Sequence, residues 1–160
     1  MLLMAAFLCK DRPLAILLFI LATPSCAQSP PSPPQNCSLH VHVDNVRNTR
    51  GVIGLLLFAT PEGWPEDVTR SVQHKASSIA PDTLDANLSF DTLSPGKYAV
   101  VALHDENANM KLDRNFIGWP KEGFGFSNNP RIGLAPASFN QALFLVQCPA
   151  TDTTIHMVYK

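Results

Sequence analysis

The chain has 160 residues, a formal net charge of -1 and only 16% charged residues. Once an export segment and a proline-rich stretch are set aside, roughly 120 residues remain, enough for one domain of common size and one compact core. There is no basic stripe to attract phosphate backbones, which sets nucleic-acid binding aside.

At the N-terminus Lys10 and Arg12 precede an apolar run over residues 14–22, followed by small residues ending Ser25-Cys26-Ala27. This is the order of a secretory signal peptide, and cleavage after Ala27 is expected, giving an exported, periplasmic or secreted protein. The run falls short of the ~20 residues that cross a bilayer, so no stable span is expected after cleavage. Residues 1–9 are also apolar, which leaves a start at Met4 or a retained anchor as alternatives. Cys26 stands where a lipoprotein is acylated, but Thr23 replaces the usual leucine-like residue, so lipidation is the lesser alternative. The mature chain keeps Cys37 and Cys148 at the two ends of the domain, and an oxidising compartment favours joining them; two buried thiols are the other reading. Neither spacing resembles a zinc site.

Residues 28–36, QSPPSPPQN, form a polar, proline-rich tether. The domain over residues 37–160 begins with Leu39, Val41 and Val43 alternating against His40, His42 and Asp44, the period of a half-buried strand. A turn over 48–51 predicts a hairpin into a central strand over 52–59. Pro61, Gly63 and Pro65 make a loop, and 69–78 is ambiguous between a short helix and an irregular crossing. Residues 86–90 alternate again; Pro95 and Gly96 turn the chain into a strand over 97–104, and two further strands fall near 141–147 and 153–159. Six or seven short strands without a convincing amphipathic helix predict an all-β fold, a two-sheet antiparallel β-sandwich. The exception is a long segment over 105–137, and loops of that length are commonly functional.

That segment opens His104-Asp105-Glu106-Asn107-Ala108-Asn109-Met110-Lys111-Leu112-Asp113. Oxygen side chains recur at Asp105, Asn107 and Asn109, with Asp113 after them and the Lys111 carbonyl between. This is the alternation with which a loop wraps a calcium ion, whose shell takes six to eight oxygens. Met110 stands where such loops turn on glycine and Phe116 where they place a bidentate glutamate, a role Glu122 is placed to take. The alternative is a turn capped by Asx side chains bonding to nearby backbone. In the next run glycines alternate with aromatics, and Trp119, Phe124 and Phe126 are read as anchors of a loop folded on the sandwich, or else as a ligand surface. His40 and His42, two apart on one face, suit a metal, though a histidine pair without a third ligand is more often a solvated face. His104, Asp105 and Ser127 supply the residue types of a hydrolase triad without a nucleophile elbow.

The stretches LSPGKYAVVALHDENANMKLD and NFIGWPKEGFGFSNNP resemble the bacterial exported proteins of domain-of-unknown-function family 2141. The resemblance extends over essentially the whole mature chain. It implies an exported β-sandwich of transthyretin-like or immunoglobulin-like kind, and no particular activity. Relatives carry glycines inside the HDEN loop where this chain has Ala108 and Met110, which weakens any cation site carried over with it. The expectation is a non-enzymatic binding or structural module for an unknown protein or small-molecule ligand, with a calcium-like site at 104–113. The alternative is a hydrolase-like or metal-dependent enzyme using His104, Asp105 and Glu122.

Overall fold

The computed structural model describes residues 36–109, 111–116, 118, 120–133 and 135–160. The expected signal peptide and all but the last residue of the tether lie outside the described residues, as do Met110 and Trp119. Among the described residues eight strands follow in order: β1 (Cys37–Asp44), β2 (Val52–Phe58), β3 (Gln73–Ser77), β4 (Ala86–Leu93), β5 (Gly96–Asp105), β6 (Gly123–Phe126), β7 (Phe144–Val146) and β8 (Ala150–His156), with a 3-10 turn over Val68–Arg70 and one α-helical turn, α1 (Phe139–Ala142). They form two sheets, β4-β1-β8 and β3-β2-β5-β6, with β7 paired to the start of β5. The fold is an all-β sandwich, as its strand periods predict.

The alternation in β1 buries Leu39, Val41 and Val43 and turns His40, His42 and Asp44 outward. Those three apolar side chains meet Ile53, Leu55 and Leu57 of β2 and Val100 and Ala102 of β5 in one buried cluster. Each fully buried aliphatic side chain contributes roughly 1.5–3 kcal/mol by leaving water, so this seam is the main source of stability. The disulfide forms as expected: Cys37 and Cys148 are bonded with α-carbons 4.5 Å apart, closing a sequence separation of 111.

Three features differ from the sequence expectation. First, β1 and β2 are not a hairpin. Both edges of β1 are taken by β4 and β8, so the turn at 48–51 carries the chain across to the other sheet. Gly51 makes that crossing possible: its φ is +69° and an added β-carbon would lie 1.8 Å from the Asp105 carbonyl oxygen. Second, β8 runs parallel to β1, pairing Ser38 with Ala150. That register sets the starts of the two strands side by side, which is why cysteines at opposite ends of the domain can bond. Third, the ambiguous stretch contains β3, and the long segment contains β6, which pairs with β5 from Val101–Phe126 to His104–Gly123.

The glycine and aromatic alternation is thus a strand whose two faces do different work. Gly123 and Gly125 turn inward, where an added β-carbon would come within 2.3 Å of the Tyr159 ring and 2.6 Å of Ile155 Cγ2. Phe124 and Phe126 turn outward, buried in a second cluster with Phe58, Ala99, Val101, Ala137 and Ala142. This cluster lies on the outer face of the five-stranded sheet, so that sheet is apolar on both sides.

Candidate functional site

Among the described residues, only part of that outer face is sealed. Over Phe58 sits Trp64, edge-on at 5.4 Å between ring centroids, with Phe126 at 5.6 Å and Phe139 at 5.8 Å. Its indole N–H donates to the Ala137 carbonyl at 2.8 Å, so the half-buried ring has its polar atom paired.

Another part opens into a cleft of about 980 Å³. Its floor is two rows of side chains read straight from the strand register: Ala76, Gly54, Leu103 and Phe124 in one, His74, Leu56, Val101 and Phe126 in the next. Gly54 leaves the floor low, because an added β-carbon there meets nothing closer than the Leu103 carbonyl at 4.0 Å. One wall comes from Pro65, Glu66 and Val68, the other from Ala108, Leu112 and Pro120. Arg114 pairs with Glu66, linking the walls by charge. A partly enclosed, mainly apolar concavity with a few polar groups at its rim is what a small-molecule site requires.

The acidic and amide-rich loop stands at one end of this cleft, where Asp105 and Lys111 line it. Its side chains hold one another. Asn107 and Asn109 donate their side-chain amides to the two Asp113 carboxylate oxygens at 2.7 and 3.2 Å. The Asn109 N–H donates to Asp105 and Asn107 oxygens, both at 3.1 Å, and the Lys111 N–H to the Asn109 side-chain oxygen at 2.8 Å. Glu122 is buried and accepts the backbone N–H groups of Glu106 and Asp113, each at 3.0 Å. The structure therefore brings Asp105, Asn107, Asn109 and Asp113 together and sets Glu122 against the same loop, in the bonds of a capped turn. Among the described residues no three His, Cys, Asp or Glu side chains form a metal-holding group.

His104 faces the other way, into the inter-sheet core, and is fully buried. Its Nε2 lies 2.8 Å from the Arg50 carbonyl, which can only accept, so Nε2 carries the proton. Nδ1 then accepts from the Tyr159 hydroxyl at 2.8 Å, and that oxygen accepts from the Arg47 N–H at 3.1 Å. Burial pushes the Tyr159 phenol pKa up, partly offset by Arg47, which keeps it protonated as the donor. Ser127 is also fully buried; it accepts from the Val100 N–H at 2.9 Å and donates to the Ala142 carbonyl at 2.6 Å. The hydrolase triad therefore does not assemble: His104 and Ser127 each hold backbone in place.

Residues 41–155 match the model of a family described as an uncharacterized protein conserved in bacteria, DUF2141. The chain belongs to this family. No curated protein and no solved structure matches it. The family's description assigns no chemistry, so the side chains supply the reading of function. Sequence reasoning placed the acidic loop but missed the cleft. Trp64, which seals part of the outer face, was hidden in a segment read only for its prolines and glycine.

Just past the end of β5, Glu106 receives Arg47 Nε and Arg50 Nη2, each at 2.5 Å. Burial alone would raise its pKa, but bonds from Arg47 and Asn48 and the Arg47 charge outweigh that and hold it below the ordinary carboxylate value. A depressed folded-state pKa stabilises the fold above the unfolded value of about 4.3, and this stability is lost as pH falls through the folded one. Glu106→Gln should thus flatten the loss of stability below about pH 4.3, measured by urea unfolding at several pH values. Equal slopes in variant and wild type would contradict the assignment.

Proposed function

We propose that the domain is an exported, non-enzymatic binding module whose ligand is a small molecule with a substantial apolar part, held in the cleft on the outer face of the five-stranded sheet. The observation that carries this reading is the concavity over Gly54, Leu56 and Leu103, which stay partly exposed among the described residues while the adjoining part of the same face is sealed by Trp64. A ligand whose apolar part fills this concavity gains roughly 2.5 kcal/mol for each 100 Å² of apolar surface removed from water. The alternative, an enzyme using His104, Asp105 and Glu122, is less well supported. His104 and Glu122 are buried and engaged with backbone groups.

The test uses Gly54→Phe, which plants a ring on the floor of the cleft at a strand position that tolerates aromatics. An environment-sensitive anilinonaphthalene dye should brighten with the wild type and lose at least tenfold in affinity with the variant, at unchanged melting temperature. Equal binding by both proteins would overturn the reading.

The same reading gives the loop a weak calcium-like cation, ligated by Asp105, Asn107, Asn109, Asp113 and the Lys111 carbonyl. Turning the Asn107 and Asn109 amides over presents their oxygens where their NH2 groups now meet Asp113, so four side chains supply oxygens without a backbone change. Affinity should fall in the ~10⁻⁴ to 10⁻³ M range of extracellular modules. Calcium at a hundred times its dissociation constant should add ~2.7 kcal/mol of stability. A melting temperature equal in chelator and in excess calcium would leave these residues as turn caps only.

A further inference from the structure

The outer face of the three-stranded sheet is polar, and its two central rows are fixed by register: Ser89, His40 and Asp152 in one, Asn87, His42 and Thr154 in the next. Together they line a shallow recess of about 370 Å³, separate from the cleft and on the opposite side of the sandwich. We propose that His40 and His42 chelate one divalent transition cation of the zinc, nickel or copper kind over this recess, with Asp152 orienting His40.

Spacing supports it. Residues two apart on a strand stand roughly 6.7 Å from each other on the same face. Imidazoles leaning together from that separation bring their Nε2 atoms to the ~2.0–2.1 Å that a transition ion needs. Protonation supports it as well. His40 Nδ1 lies 3.1 Å from Asp152 Oδ1, and an ionised carboxylate only accepts, so Nδ1 carries the proton and Nε2 keeps its lone pair. His42 Nδ1 meets the Asn87 side-chain oxygen at 2.9 Å in the same relation. A histidine whose far nitrogen donates to a carboxylate is the usual outer-shell arrangement of metal-binding imidazoles, because it fixes the tautomer and raises ligand basicity.

The two rings now lean apart, His40 toward β8 and His42 toward β4. Ligation draws them over the recess by side-chain rotation: the exposed Asp152 carboxylate follows His40 and keeps its bond, His42 gives up its bond to Asn87, and His40 is half exposed, so no core packing resists its movement. Two protein nitrogens with water completing the shell favour ions high in the Irving–Williams order and give no hold to magnesium or calcium, which take oxygen.

Titration of the protein with Ni²⁺, followed by heat release and by histidine ring NMR signals, tests the proposal. One equivalent should bind, shifting His40 and His42 and leaving His74 and His104 unmoved. His40→Ala and His42→Ala should each weaken binding at least tenfold. Asp152→Asn should weaken it about tenfold, the lower end for an outer-shell partner. His156→Ala, on the same face but bonded to Asp44, should leave binding unchanged. Failure of the wild type to bind Ni²⁺, survival of binding in the His40→Ala/His42→Ala double variant, or an equal loss in His156→Ala would each overturn it.

Discussion

Replacing Cys37 and Cys148 together by alanine is expected to lower the free energy of unfolding by about 4 to 5 kcal/mol. The bond closes a sequence separation of 111. In the chain-entropy model a loop of that size removes about that much freedom from the unfolded chain. A domain this size has only ~5–15 kcal/mol in total, so the variant should unfold at markedly lower urea concentration. The parallel register gives the bond a second role, holding the start of β8 against the start of β1, where Ser38 N–H donates to the Pro149 carbonyl at 2.9 Å. If the midpoint moved by less than the equivalent of 1 kcal/mol, the bond would not be the clasp described here.

His104→Leu is expected to cost about 2 to 6 kcal/mol while leaving the outer cleft able to bind. Leucine fills a similar volume, so the loss is polar: the Arg50 carbonyl and the Tyr159 hydroxyl lose their partner, at about 1–3 kcal/mol each. The bond to Arg50 ties the chain just before β2 to the end of β5, and the bond to Tyr159 ties in the C-terminus. A catalytic histidine would behave in the opposite way, with stability kept and turnover lost. Equilibrium unfolding of the variant beside dye binding separates the two roles, and a fully stable variant would reopen the enzymatic reading.

Much of the sandwich was legible because burial imposes a period on β1 and β4. Leu39, Val41 and Val43 announce their strand, and the apolar runs at 52–58 and 98–103 announce strands covered on both faces. The partnership of β1 with β4 and β8 was not legible, since a turn at 48–51 serves a hairpin and a sheet-to-sheet crossing equally well. β6 escaped because Gly123 and Gly125 lower strand propensity, and the close approach of Tyr159 and Ile155 that requires them is visible only in three dimensions. The disulfide was legible from chemistry alone. The acidic loop was legible as a place where side chains converge, but the sequence left open whether they bond to one another or to an ion. The cleft was invisible, because its two rows draw on four strands distant in sequence and acquire meaning only through register.

The central claim, that the open part of the outer face is a ligand site, is tested most directly by methyl-labelled NMR during titration with dodecanol, an uncharged molecule with a long apolar part. The account predicts saturable shifts of Leu56, Val101 and Leu103 methyls, which face the cleft, with Leu39, Val41 and Leu57 in the inter-sheet core unmoved. Shifts spread evenly over both sets, or none at these three residues at saturating dodecanol, would contradict it.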